Sequence, residues 1–218
     1  MKLTARPIDY WQAIIFDFDG VIVESGDIKT EAFAELYRQH GEPIMQAAVA
    51  YHRANGGMSR YLKFRYFQQN LLKKPPLTEE EERSLDQQFS ELVMQAVIRS
   101  EAVAGAEPLI HRASQRMPLF IASGTPEREL CGIVEQRGLA PFFTTVRGAP
   151  ALKQAIIAEI IATHNLDVQH VLMIGDALID YESAQQNAIA FLGRVRPQDA
   201  NPFPVEVEII EDLCPLIN

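Results

Sequence analysis

Cysteine, positive charge and long apolar runs are all scarce in this sequence. Its two cysteines, Cys131 and Cys214, lie far apart and outside any Cys-x-x-Cys spacing, which argues against a disulfide framework or a thiolate zinc cluster and fits a reducing compartment. Apolar runs are broken after a few residues by a charge, Gly or Pro, well short of the roughly 20 residues needed to cross a bilayer. The stretch from Met1 to Trp11 has basic residues with no apolar segment behind them, so no targeting signal is read and a cytoplasmic location away from membranes is expected. Basic residues number 20 against 29 acidic ones, a net charge of −9 over 218 residues. Nucleic-acid backbones are held mainly by Lys and Arg displacing counterions, so this balance argues against such a partner. What remains is an ordinary globular composition, long enough for one large domain or one domain carrying an insertion.

Short apolar, β-branched runs alternate with helical patterns. The clearest runs are Ala13 to Asp17, Pro118 to Ser123 and His170 to Asp176; weaker ones are Thr144 to Arg147, Ala188 to Leu192 and Val205 to Ile210. Their continuous apolar character predicts strands buried on both faces, as in a parallel sheet covered by helices. With helical segments at Pro150 to Thr163 and Ile179 to Gln186, the order is that of an α/β fold, a doubly wound parallel sheet.

Between about Ser25 and Gly105 no strand pattern occurs. Thr30 to His40, Ile44 to Arg53, Ser59 to Leu72 and Thr78 to Arg99 read as helices, punctuated by Gly41, Gly56-Gly57 and Pro75-Pro76. Thr78 and Glu81 have capping-box spacing, and the acidic run Glu79 to Glu82 suits a first helical turn. A helical stretch of this length is too long for a crossover connection. The expected division is therefore a core of residues 1–24 and 105–218 with an inserted all-helical domain over 25–104.

Ligands of parallel α/β sheets bind at the carboxyl ends of the strands. There the sequence places Asp17-Phe18-Asp19-Gly20, Ser123-Gly124-Thr125-Pro126 and Gly175-Asp176 with Asp180 four residues on; Lys153 follows a weaker strand. Each has a plain structural reading: turn acceptors for the Asp pair, a tight βα turn for Ser123-Gly124, a helix-start charge pair for Asp176 and Asp180, and a surface cation for Lys153. Together they offer paired carboxylates, an anion seat in which Thr125 would cap a helix beginning at Pro126, a counter-charge, and oxygen ligands for a hard cation. In the helical block, Arg60 behind the Gly56-Gly57 loop is a candidate contact to the substrate. Tyr61, Phe64, Tyr66 and Phe67 read as the packing of that block.

Asp17-Phe18-Asp19-Gly20-Val21, Ser123, Lys153 and Gly175-Asp176-x-x-x-Asp180 resemble, in order, the four motifs of the haloacid dehalogenase superfamily. The layout is similar to its phosphoglycolate phosphatase and β-phosphoglucomutase subgroup. The resemblance implies a Rossmann-like core and a mobile helical cap. It implies Asp17 as nucleophile, Asp19 as acid and base, and Lys153 as counter-charge. Ser123 and Gly124 would hold the phosphoryl oxygens, and Asp17, Asp19, Asp176 and Asp180 would position Mg²⁺. The implied substrate is a small phosphorylated metabolite such as a sugar phosphate or phosphoglycolate, with hydrolysis favoured over mutase transfer or a non-catalytic binding role, in a monomer or homodimer. Asp19 also disfavours dehalogenation, since dehalogenating relatives generally lack it. The sequence departs from the pattern at Asn187-Ala188, where relatives usually carry Gly; Asn is expected to take the left-handed turn there.

Overall fold

The computed structural model describes residues 2–217, so Met1 and Asn218, the outer limits of the expected core segments, lie outside the described residues. β1 (Ala13–Phe16) is buried at every position. An uninterrupted apolar strand has no face to offer to water and is stable only when covered on both sides. Four helices follow without an intervening strand: α1 (Gly26–Arg38), α2 (Glu42–Ala54), α3 (Arg60–Tyr66) and α4 (Glu79–Arg99). The chain continues through α5 (Ala106–Ala113), β2 (Leu119–Pro126), α6 (Glu127–Gln136), β3 (Thr145–Ala149), α7 (Lys153–His164), β4 (Val171–Gly175), α8 (Leu178–Gln186), β5 (Ala190–Arg194) and β6 (Ile209–Ile210).

The six strands form one sheet in the order β3-β2-β1-β4-β5-β6, and every pairing is parallel. The architecture is a Rossmann-like, doubly wound α/β sheet. Alternate residues of β1 serve its two layers: Ile14 and Phe16 join Leu109, Ile110, Leu130 and Ile133, whereas Ala13 and Ile15 join Ile156, Ile157 and Ile160. The chain winds outward from β1 in both directions, through β2 to β3 and through β4 to β6. The reversal opens a crevice above the carboxyl end of β1, where such sheets hold ligands.

The helical block has an aromatic centre. The Phe33 ring lies 4.5 Å from Phe89, 5.7 Å from Phe67 and 6.1 Å from Phe64. All four side chains are buried, in a cluster continuous with one face of the sheet. Burying a Phe contributes roughly 1.5–3 kcal/mol, which orders a block whose helices have little intrinsic reason to persist alone. At the start of α4 the Thr78 N–H donates to Glu81 Oε2 at 2.8 Å and the Glu81 N–H returns a bond to Thr78 Oγ1 at 3.3 Å. This is the reciprocal capping box that the spacing predicts.

Several local expectations are corrected. The helix anticipated over Ser59 to Leu72 is α3 followed by a π-helical turn, Phe67–Leu71. The strand anticipated from Val205 to Ile210 is only Ile209–Ile210, and Val205 is 97% exposed; Pro202 and Pro204 nearby remove the amides a longer ladder would need. Asn187 has φ −99°, so the left-handed turn after α8 falls instead on Ala188, at φ 54°. A Cβ is strained in that region, so Ala188→Gly is expected to raise stability by about 1 kcal/mol, read as a shifted midpoint in urea unfolding.

Candidate active site

The carboxyl ends of β1, β2 and β4 meet beneath the helical block around a cavity of about 770 Å³. Asp17, Asp19, Ser123, Gly124, Thr125 and Asp176 line it from the sheet; Lys29, His52, Gly57, Arg60 and Lys63 line it from the block. The structure therefore brings the predicted motifs to one place.

Asp17 is 1% exposed. Its Oδ1 accepts the Phe18 N–H at 2.8 Å and lies 3.1 Å from Lys153 Nζ, while Oδ2 has no hydrogen bond among the described residues. Lys153 occupies the first position of α7, where the helix macrodipole disfavours a cation. Two buried carboxylates compensate it, since Lys153 Nζ also pairs with Asp180 Oδ1. Burial alone would lower the lysine's pKa, but Asp17 and Asp180 outweigh it and hold the ammonium charged well past its ordinary range. The other oxygen of Asp180 accepts the Ala177 N–H at 3.1 Å, so both of its oxygens are engaged.

Asp17, Asp176 and Asp180 bring one oxygen each within 4.8 Å of one another. Burial first, then mutual repulsion against the opposing pull of Lys153, raises Asp17 to about 7 and Asp176 well above the usual carboxylate range. Asp176 makes no hydrogen bond or ion pair with another described side chain. Three carboxylates against one ammonium, with one of them unpaired, form a hard-oxygen set that suits Mg²⁺. Gly20 permits this crowding. At φ 75° it has the conformation glycine favours, and a Cβ there would collide with the Asp176 carboxylate.

Asp19 lies in a different environment. Its Oδ1 accepts from Ser25 Oγ at 2.6 Å, and its Oδ2 accepts from Thr125 Oγ1 at 2.9 Å and from the Lys29 ammonium. Burial pushes its pKa up, but Lys29 and the two hydroxyls overcome this and hold it below the usual range. Lys29 was not among the residues predicted from sequence; its position one helical turn inside α1 carries no motif. Thr125 was expected as a helix cap. Instead β2 runs on to Pro126, whose ψ of 132° is extended, and α6 begins at Glu127. The Thr125 hydroxyl is used on Asp19.

Arg60 also departs from expectation. It is 6% exposed and all three of its nitrogens are engaged: Nε with Asp86 at 2.6 Å, one terminal nitrogen with Glu129 at 3.1 Å, and the other with Ser90 at 2.7 Å and Glu129 at 2.8 Å. A guanidinium so occupied is a tie between α3, α4 and α6 rather than a free contact to a ligand. The Gly56-Gly57 loop beside it is seated on the sheet. A Cβ on Gly57 would lie 2.8 Å from Ile179 Cγ2, 3.2 Å from Ala177 Cβ and 3.5 Å from Lys153 Nζ, and one on Gly124 would run into the Gly57 carbonyl.

The family model for haloacid dehalogenase-like hydrolases matches residues 11–187. The chain belongs to the haloacid dehalogenase-like hydrolases. The matched span runs from the residues before β1 to Asn187 and includes Asp17, Asp19, Ser123, Lys153, Asp176 and Asp180. No curated protein sequence matches this hydrolase significantly. Among solved structures it is similar to a β-phosphoglucomutase from Clostridium difficile, with TM-score 0.75 and 17% identity over 93% of this chain and 92% of that one. It is also similar to CbbY from Rhodobacter sphaeroides in complex with phosphate, with TM-score 0.71 and 13% identity over 93% and 95%. A predicted phosphoglycolate phosphatase from Haemophilus somnus gives TM-score 0.68 and 16% identity over 94% and 95%. At these identities the likeness is one of fold. Among the described residues no helix is long and apolar enough to cross a membrane.

Proposed function

We propose that this haloacid dehalogenase-like hydrolase is a Mg²⁺-dependent phosphomonoesterase for a small phosphorylated metabolite, working through an aspartyl phosphate on Asp17. The observation that carries this reading is the Asp17 carboxylate itself. Lys153 and the Phe18 amide hold Oδ1, which fixes the side chain and leaves Oδ2 bare beside a cavity lined by Ser123 and Gly124. An oriented carboxylate is an adequate nucleophile where the phosphate's negative charge is offset. Asp17, Asp176 and the Asp19 carbonyl would hold Mg²⁺, which supplies that offset and draws charge from the phosphoryl oxygens. Asp180 contributes by holding Lys153 and the Ala177 amide in place.

Ser123 and the Gly124 amide would hold the phosphoryl oxygens opposite Lys153, so that the charge of the transferring group meets donors already in position. Asp19, held as a carboxylate, suits the second half of the reaction, accepting a proton from the water that attacks the aspartyl phosphate. Donating a proton to the leaving oxygen in the first half requires Asp19 to give up its Lys29 contact, which makes that contact part of the cycle. Residues 25–104 would act as a cap that closes over the crevice and excludes water.

The deciding experiment is a phosphate-release assay over a panel of phosphomonoesters with Mg²⁺. Stoichiometric inorganic phosphate supports hydrolysis; product isomerisation without phosphate would instead mean a mutase. Cap closure has its own test. Gly57→Ala introduces a Cβ where Ile179 and Ala177 already stand, and displacing the loop is expected to lower kcat/KM by about 10²-fold, as an ångström of misplacement does. The far-ultraviolet circular dichroism spectrum should not change.

A further inference from the structure

The chain from Asp19 to Ser25 is a compact turn closed on itself. The buried Ser25 hydroxyl donates to Asp19 Oδ1 at 2.6 Å, and the Val23 carbonyl accepts both the Gly20 N–H at 2.8 Å and the Ser25 N–H at 3.0 Å. Gly20 follows Asp19 and Glu24 precedes Ser25, so a group that fixes Gly20 and Glu24 fixes both ends of the Ser25–Asp19 bond. Arg194, the last residue of β5, holds both. One terminal nitrogen donates to the Gly20 carbonyl at 3.2 Å and to Glu24 Oε2 at 3.1 Å, and the other to Glu24 Oε1 at 2.5 Å. Its Nε donates to the Glu211 carbonyl at 2.9 Å. The side chain is 6% exposed, and although it borders the cavity, all three of its nitrogens are engaged within the protein.

A tie between β5 and the chain beyond it would need only the Glu211 carbonyl. The planar fork of a guanidinium is what lets one side chain meet a carbonyl and both oxygens of a carboxylate at once. Its mount is stiff, because Arg194 is in register with Ile210 in the parallel β5–β6 pair. Arg196, two residues on, pairs with Asp27 at 2.8 Å, but that carboxylate is mostly exposed and such a pair holds weakly. The grip matters most when Lys29 releases Asp19, because Ser25 and Thr125 are then the side chains left to orient the carboxyl group. We propose that Arg194, acting through Gly20 and Glu24, is a positioning residue for Asp19: it keeps Ser25 on the carboxyl group so that Asp19 stays aimed at the leaving oxygen. This rests on the phosphomonoesterase reading and adds to it a residue from a strand two places away from β1 in the sheet.

The test compares the full chain and Arg194→Gln, with Mg²⁺, on aryl phosphates graded from p-nitrophenyl to unsubstituted phenyl. The ratio kcat/KM reports the first half of the reaction, in which p-nitrophenolate leaves without a proton and phenolate is helped by one. Arg194→Gln should lower kcat/KM for phenyl phosphate at least ~10-fold more than for p-nitrophenyl phosphate, part of the contribution a general acid makes. Glu24→Gln should steepen the series in the same sense, and the double variant should steepen it no further than Arg194→Gln alone, since the two act through one contact. Should Arg194→Gln not fold, Glu24→Gln, at a partly exposed side chain, carries the same readings. Hydrogen exchange reads the positioning without turnover. In the variant the amides of residues 18–29 should exchange at least ~10-fold faster while those of β2 and β4 keep the parental rate. A uniform loss across the aryl series, an unchanged series, unchanged exchange, or acceleration spread over the whole chain would overturn the proposal. Asp19→Asn gives the reference: if it too loses rate uniformly, the acid role given to Asp19 is wrong. Absence of phosphate release by the parent, with the local acceleration of exchange present, would overturn the phosphomonoesterase reading and leave the Arg194 grip on the Asp19 loop standing.

Discussion

Asp17→Asn should lower phosphate release from p-nitrophenyl phosphate by at least ~10⁴-fold, the scale on which loss of a nucleophile is felt. The amide is nearly isosteric and retains an oxygen for the Phe18 N–H, so the packing around β1 has no reason to change. The loss would therefore report chemistry rather than folding, provided that the circular dichroism spectrum is unaltered. Removing one of three adjoining carboxylates also relieves repulsion, so the metal-free variant should melt no lower than the parent. Retention of more than about 1% of the parental rate would exceed what the remaining positioning residues can supply and would rule out Asp17 as the nucleophile.

Withdrawal of divalent metal has the second largest expected effect. Chelation should reduce turnover by ~10³-fold or more, since a bound cation supplies several kcal/mol of transition-state charge stabilisation, and added Mg²⁺ should restore it. The same cation should raise the melting temperature, because it binds the folded carboxylate cluster and not the unfolded chain. The pH dependence has a definite sign. Asp17 is raised from 3.8 to about 7 in the metal-free fold, so between those values the folded state holds a proton that the unfolded state has lost. Stability from this site therefore falls as pH rises through that window. Saturating Mg²⁺ should remove this dependence by taking the place of the proton, which a pH series of thermal melts with and without the metal would show. Asp176→Asn should shift the Mg²⁺ requirement to higher concentration; an unchanged requirement would remove Asp176 from the metal site.

The convergence of Asp17, Asp19, Ser123 and Asp176 at one end of the sheet was legible in the sequence because each follows a strand that reads clearly as buried. Parallel register then brings those strand ends together without further instruction. Lys153 was legible for a second reason, since a lysine at a helix start needs an opposing charge. The pairing of Asp19 with Lys29 and Thr125 was not legible. It depends on where α1 sits over β2, which no local pattern encodes. The partners of Arg60 were not legible for a related cause: its flanking Gly-Gly loop does reach the crevice, but Asp86, Ser90 and Glu129 lie on helices whose mutual rotation is set only by tertiary packing. The brevity of β6 and the left-handed Ala188 are likewise decided by the surroundings, which overrode local propensity.

The Arg60 cluster also bears on how freely the two parts of the molecule could be recombined. A helical insertion joined by two chain crossings looks like a module that could be exchanged for another to alter specificity. Here a single buried guanidinium is shared by α3 and α4 of the insertion and by Glu129 of the sheet layer. Exchange of residues 25–104 alone would leave Glu129, only 7% exposed, without its cation. Position 129 therefore belongs with the insertion, although it is remote from it in sequence, and a chimera that transfers both together is the recombinant expected to fold.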